Sequence, residues 1–151
     1  MSIEPFNPSA DAVYALVPDA ERITDGNSTD IPTPTTVATV ERWLTDLSAA
    51  VAVGIGPWGA VTGATGTEVR NAARVVVETG AASYLAAARY GNESSPYAAV
   101  LWERYTAGLA ALKERVTAFL APDAVDPDPA AQPTGPFGAF PAVYFGDGIQ
   151  W

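Results

Sequence analysis

Arg70, Arg74 and Glu78 follow one another at four-residue intervals, a spacing that stacks side chains on one helix face. A carboxylate held beside guanidinium groups can act as a general base, and Glu103 is a second acid on which such chemistry could rest. Neither has a convergent partner acid in the pattern, and a surface ion-pair ladder accounts for Arg70, Arg74 and Glu78. The ordinary catalytic groups are missing, because the chain has no cysteine and no histidine. That excludes disulfides, thiolate nucleophiles and zinc-thiolate sites, and removes the commonest general base and transition-metal ligand. The expectation is a protein that is not an enzyme, with no cofactor and no metal.

Three further patterns imitate binding motifs. Gly54-Ile55-Gly56-Pro57-Trp58-Gly59 matches the dinucleotide fingerprint, which needs a strand before it and a helix opening at it. Here a helical pattern precedes it and Pro57 removes an amide, so a loop after a helix end is expected. Asp25 to Asp30 alternates oxygen side chains as a calcium loop does, but Asp30 and Thr36 stand where glycine and glutamate are required; a hydrated turn accounts for it. Asp123, Asp126 and Asp128 are separated by prolines, which hinders convergence on a cation and keeps the segment solvated.

Net charge is −9, and the eight basic residues, seven Arg and Lys113, are scattered. Such a surface does not grip phosphates, so nucleic acid is not expected as a ligand. The uncharged stretch Leu47 to Thr67 is long enough to span a bilayer but is broken by five glycines and Pro57, which argues against a membrane helix. Met1 to Ser9 lacks the pattern of a secretory leader.

The periodicity predicts an all-α chain: a small bundle of about four helices with an extended C-terminal arm. A short helix spans Ala10 to Val17, capped by Ser9 and stopped by Pro18. A second runs from Pro34 to Val53 with Thr33 as its cap and Val37, Val40, Leu44, Leu47 and Val51 as its stripe. A third, Thr67 to Tyr90, is apolar around most of its circumference. Burial on several sides is expected of such a helix, and other subunits are expected to supply part of the cover, at Val75, Val77, Ala81 and Leu85. The fourth, Ser95 to Leu120, follows a tight turn and makes an antiparallel hairpin with the third. Its stripe holds Tyr97, Leu101, Tyr105, Gly108, Leu112, Val116 and Phe119, and its aromatics are expected in the core with Trp43.

Three segments result: a helical core over 1–120, a Pro/Asp-rich linker over 121–136 and an aromatic tail over 137–151. Five of the fifteen aromatic residues, Phe137, Phe140, Tyr144, Phe145 and Trp151, lie in the tail. So apolar a segment must fold back or dock elsewhere, and the stiff spacer favours docking on a partner.

The short first helix, the run Val40 to Val51, the loop after it, the Ala/Val-rich helix over 69–90 and the hairpin to a helix ending near Leu120 together resemble the head–tail connector, or adaptor, proteins of long-tailed bacteriophages. The likeness covers roughly residues 9–120; 29 alanines against one lysine also suit a phage of a GC-rich host. The resemblance implies a virion protein at the head–tail junction, assembled in the host cytoplasm. It implies a homo-oligomeric ring, usually twelvefold, seated beneath the portal protein, extending the DNA exit channel and followed by a downstream neck or tail protein. DNA would pass through its channel without specific binding, and no membrane is involved. The long linker and aromatic end depart from the family pattern. A small bacterial helical interaction or regulatory domain with a self-docking tail is the alternative.

Overall fold

A computed structural model describes residues 6–20, 22–24, 35–90 and 96–121. The described chain is all-α, as expected, with four helices and no strand. These are α1 (Ala10–Leu16), α2 (Val37–Gly54), α3 (Gly63–Tyr90) and α4 (Pro96–Leu120), with a single 3-10 turn at Trp58–Ala60. They belong to one compact unit that closes at Ala121. The arm expected beyond it, the 25–30 loop and the 91–95 turn lie outside the described residues.

Each helix end has a local cause. At α1, the Ser9 hydroxyl accepts the amide of Asp11 at 3.2 Å, which confirms the expected cap. The cap of α2 is Thr36, not Thr33, and its hydroxyl accepts the Thr39 amide at 3.3 Å. The shift has a tertiary reason. The Val37 amide donates to the Ile23 carbonyl at 2.9 Å, and Ile23 and Thr36 form an isolated parallel bridge that holds Thr36 extended.

The other end of α2 closes on Gly56, whose φ of +77° is the left-handed conformation that glycine adopts without steric cost. Ile55, fully buried beside it, anchors the turn. Helix α3 starts at Gly63, one turn before the expected Thr67, whose hydroxyl instead donates to the Gly63 carbonyl. Gly66 makes that extra turn possible, since a Cβ there would stand 2.3 Å from the Val61 carbonyl oxygen.

Helix α3 is the centre of the unit. It packs most extensively on α4, then on α2 and α1. Residue pairs along the seams set the directions. Tyr84 meets Trp102, Gly80 meets Tyr105, Val76 meets Gly108, and Glu68 pairs with Arg115, so α4 runs antiparallel to α3. Tyr84 with Trp43 and Gly80 with Leu47 place α2 antiparallel to α3 as well. The core gathers Val13, Val40, Leu44, Val51, Val69, Ala73, Val77, Ala81, Leu101, Leu112 and Val116. The chain's own helices therefore cover Val77, Ala81 and Leu85 of α3, where other subunits were expected to supply cover, while Val75 and Tyr84 stay exposed.

Candidate functional site

The carboxylate singled out for chemistry has a structural task. Glu78 is buried on α3, and its Oε1 accepts the backbone N–H of Ser9 at 3.0 Å. Ser9 is the N-cap of α1, so Glu78 supplies, from a distant helix, the acceptor that a glutamate three residues beyond the cap supplies in a capping box. Its charge also faces the positive end of a helix. The ion-pair ladder with Arg70 and Arg74 does not form: Arg74 is exposed, and the Arg70 guanidinium lies 5.9 Å from the Trp58 ring centroid. Glu103 is exposed on α4. No group of three or more metal-ligating side chains converges among the described residues. No described helix is long and apolar enough to cross a membrane. The glycines of the fingerprint-like motif close α2 and lead into the 3-10 turn, as a loop after a helix end does.

The residues expected at a subunit contact divide. Val77, Ala81 and Leu85 are buried in the chain's own core and are withdrawn as contacts, while Val75 is 55% exposed and keeps that capacity. The residues expected to dock, Phe137, Phe140, Tyr144, Phe145 and Trp151, lie outside the described residues.

What the structure adds is an aromatic surface. Trp43 on α2, Tyr84 on α3 and Trp102 on α4 come from three helices into one row. Trp43 meets Tyr84 edge-on with centroids 5.7 Å apart, and Tyr84 stacks on Trp102 at 5.8 Å. Trp102 in turn covers the buried Tyr105 at 4.9 Å. Each such pair contributes about 0.5–1.5 kcal/mol beyond its area, so the row is held in shape without a ligand. Tyr84 is 38% and Trp102 41% exposed, and Trp43 is half-buried. Trp43 and Trp102 were expected in the core; they stand instead one position off the buried stripes of α2 and α4. Tyr84 is a lone aromatic in an alanine-rich stretch. These border positions are the signal by which the surface could have been read. Tyr97, likewise exposed on α4, donates its hydroxyl to the Leu16 carbonyl at 2.6 Å and ties α1 to the hairpin.

Two buried phenols make the fold sensitive to alkali. Burial pushes the Tyr105 hydroxyl above the ordinary value near 10, reinforced by Tyr84. Burial likewise raises Tyr14, partly offset by the Arg22 guanidinium 5.0 Å from its ring. Raised phenol pKa values leave stability intact below about pH 10. Above that, the unfolded chain loses its protons first and stability falls through the folded values. A spectrophotometric titration should show Tyr14 and Tyr105 ionising above the ordinary phenol range, together with loss of helical signal. Ordinary titration of both with the helices intact would contradict it.

The described residues form an all-α bundle with a row of part-exposed aromatic rings on its surface. No protein-family model, curated protein or solved structure matches the chain.

Proposed function

We propose that the chain is a structural virion protein, a head–tail adaptor that forms a ring, joins a portal to neck and tail components and extends the DNA channel. The observation that carries the reading is the row Trp43–Tyr84–Trp102, part-exposed where three helices meet. Aromatic side chains preset in a row are the kind of anchor that supplies interface energy. The apolar side chains left exposed, Val53 and Val75 among them, are the ones a ring contact would cover. With a net charge of −9, copies around a channel repel phosphate, so DNA slides through. The only buried charged group among the described residues, Glu78, is engaged by a backbone amide, which agrees with a non-enzymatic role.

The tail aromatics Phe137, Phe140, Tyr144, Phe145 and Trp151 anchor each copy to the portal, and twelve tethered anchors reinforce one another through effective concentration. Deleting residues 137–151 should leave the helical circular-dichroism signal intact and abolish co-assembly with the portal; loss of folding, or undiminished co-assembly, contradicts the docking role. The burial of Val77, Ala81 and Leu85 of α3 within their own chain favours a second reading, a monomeric bacterial interaction or regulatory domain with a self-docking tail. A monomeric mass in the presence of portal would select it.

A further inference from the structure

We infer that copies of this chain join through an ionic contact in which Arg70 and Arg74 on α3 of one copy receive Glu114 on α4 of the next. The two arginines are four residues apart and both exposed, a spacing at which like charges on a helix repel. Arg70 lies over the Trp58 ring, 5.9 Å from its centroid, and among the described residues no carboxylate pairs with either arginine. The chain is not short of acids, with seventeen against eight basic residues. Asp11, Asp46, Glu68 and Glu78 are each engaged within the copy. Glu114 is exposed and meets no cation among the described residues.

The hairpin of α3 and α4 keeps these opposite charges apart within one copy. Across its seam Gly80 meets Tyr105 and Val76 meets Gly108. At about 3.6 residues per turn, Arg74 and Glu114 each stand about 120° or more round their helices from those seam residues. They face outward on opposite sides of the hairpin, so only a second copy can bring them together. Their levels also agree. Glu68 pairs with Arg115 and Val76 lies against Gly108, which sets Glu114 level with Arg70, and Ala110 level with Arg74 and Val75. Hairpins standing side by side about an axis parallel to them meet level for level, one face against the neighbour's other face, which is the heterologous arrangement that closes a ring. Val75, 55% exposed, then lies against the exposed Ala110 of the neighbour. This inference deepens the proposed function and rests on it only in that copies of the chain meet one another.

The test is sedimentation velocity of the full chain over a concentration series, without portal. The parent should self-associate, with a dissociation constant that rises about tenfold or more between about 0.05 and about 0.5 M salt. Arg70→Glu/Arg74→Glu and Glu114→Arg should each raise it about tenfold or more, and the three changes together should return it to within about threefold of the parent. Glu103→Arg is the control. It makes the same change of charge on the outer face of α4, but about three turns from Glu114 and beyond a Debye length, so it should shift the constant less than about threefold. A second measurement covers any charge variant that fails to fold. The chain has no cysteine, so a mixture of Val75→Cys and Ala110→Cys copies should, on oxidation, give the mixed disulfide in excess of random pairing. A chain that stays monomeric throughout, association indifferent to Glu114→Arg, loss that the combined changes do not restore, or random disulfide pairing overturns the inference. Portal co-assembly is a separate measurement: its survival beside a negative result here leaves the adaptor reading standing, and its loss beside a positive result removes only that reading.

Discussion

Replacing Gly80 by alanine should lower the stability of the bundle by about 2 kcal/mol, although alanine is the better helix former by about 1 kcal/mol. A Cβ at this position would stand 2.8 Å from Cδ2 and 3.1 Å from Cε2 of Tyr105, and 3.2 Å from Cδ1 of Leu47. The phenol ring has nowhere to go: it is buried, and Trp102 covers it at 4.9 Å. Overpacking here therefore opens the contact between α2, α3 and α4 and moves the ring that supports Trp102. Urea unfolding should show a lower midpoint at unchanged slope, and the Trp102 emission should shift. Gly59→Ala is the control, because a Cβ there meets nothing within 4 Å and the change should stay within about 0.5 kcal/mol. Equal effects at Gly80 and Gly59 would contradict the packing described.

Glu78→Ala should cost about 2–3 kcal/mol, the range for a buried hydrogen bond to a charged acceptor. The loss should be local first. Helix α1 has seven residues, too few to persist without tertiary support. Its start is tied through the Ser9 amide to Glu78, and its end through the Leu16 carbonyl to Tyr97. Releasing the first tie should expose amides such as that of Val13, which donates to Ser9, to hydrogen exchange before those of α3. Glu78→Gln keeps an acceptor of the same size without the charge and should lose about half as much. Equal losses for the two variants would show that the charge, not the hydrogen bond, fastens α1.

The elements of this fold were legible in the sequence because its helices announce themselves. The stripe Val40, Leu44, Leu47 and Val51 is buried as its spacing requires, and so is Leu101, Tyr105, Leu112 and Val116 on α4. Ser9 caps α1 as read. Misreadings arose where tertiary contact overrides local preference. The bridge between Ile23 and Thr36 delays α2, and Gly66 lets α3 begin early against the Val61 carbonyl. An all-round apolar helix implies cover but does not say whose; Val77, Ala81 and Leu85 are covered by their own chain. Periodicity also says nothing about bulky residues at a stripe's border. Trp43 and Trp102 belong there, and only the meeting of three helices at Tyr84 brings them into one row.

In the proposed function the core and the tail divide the work: the core carries the aromatic row, and the tail is the part assigned to the portal. The most direct test of that division is a native mass measurement of the full chain alone and with a phage portal protein. A ring of about twelve copies on the portal, as the resemblance to adaptor proteins implies, is the expected result. A monomer whose mass is indifferent to portal would contradict it.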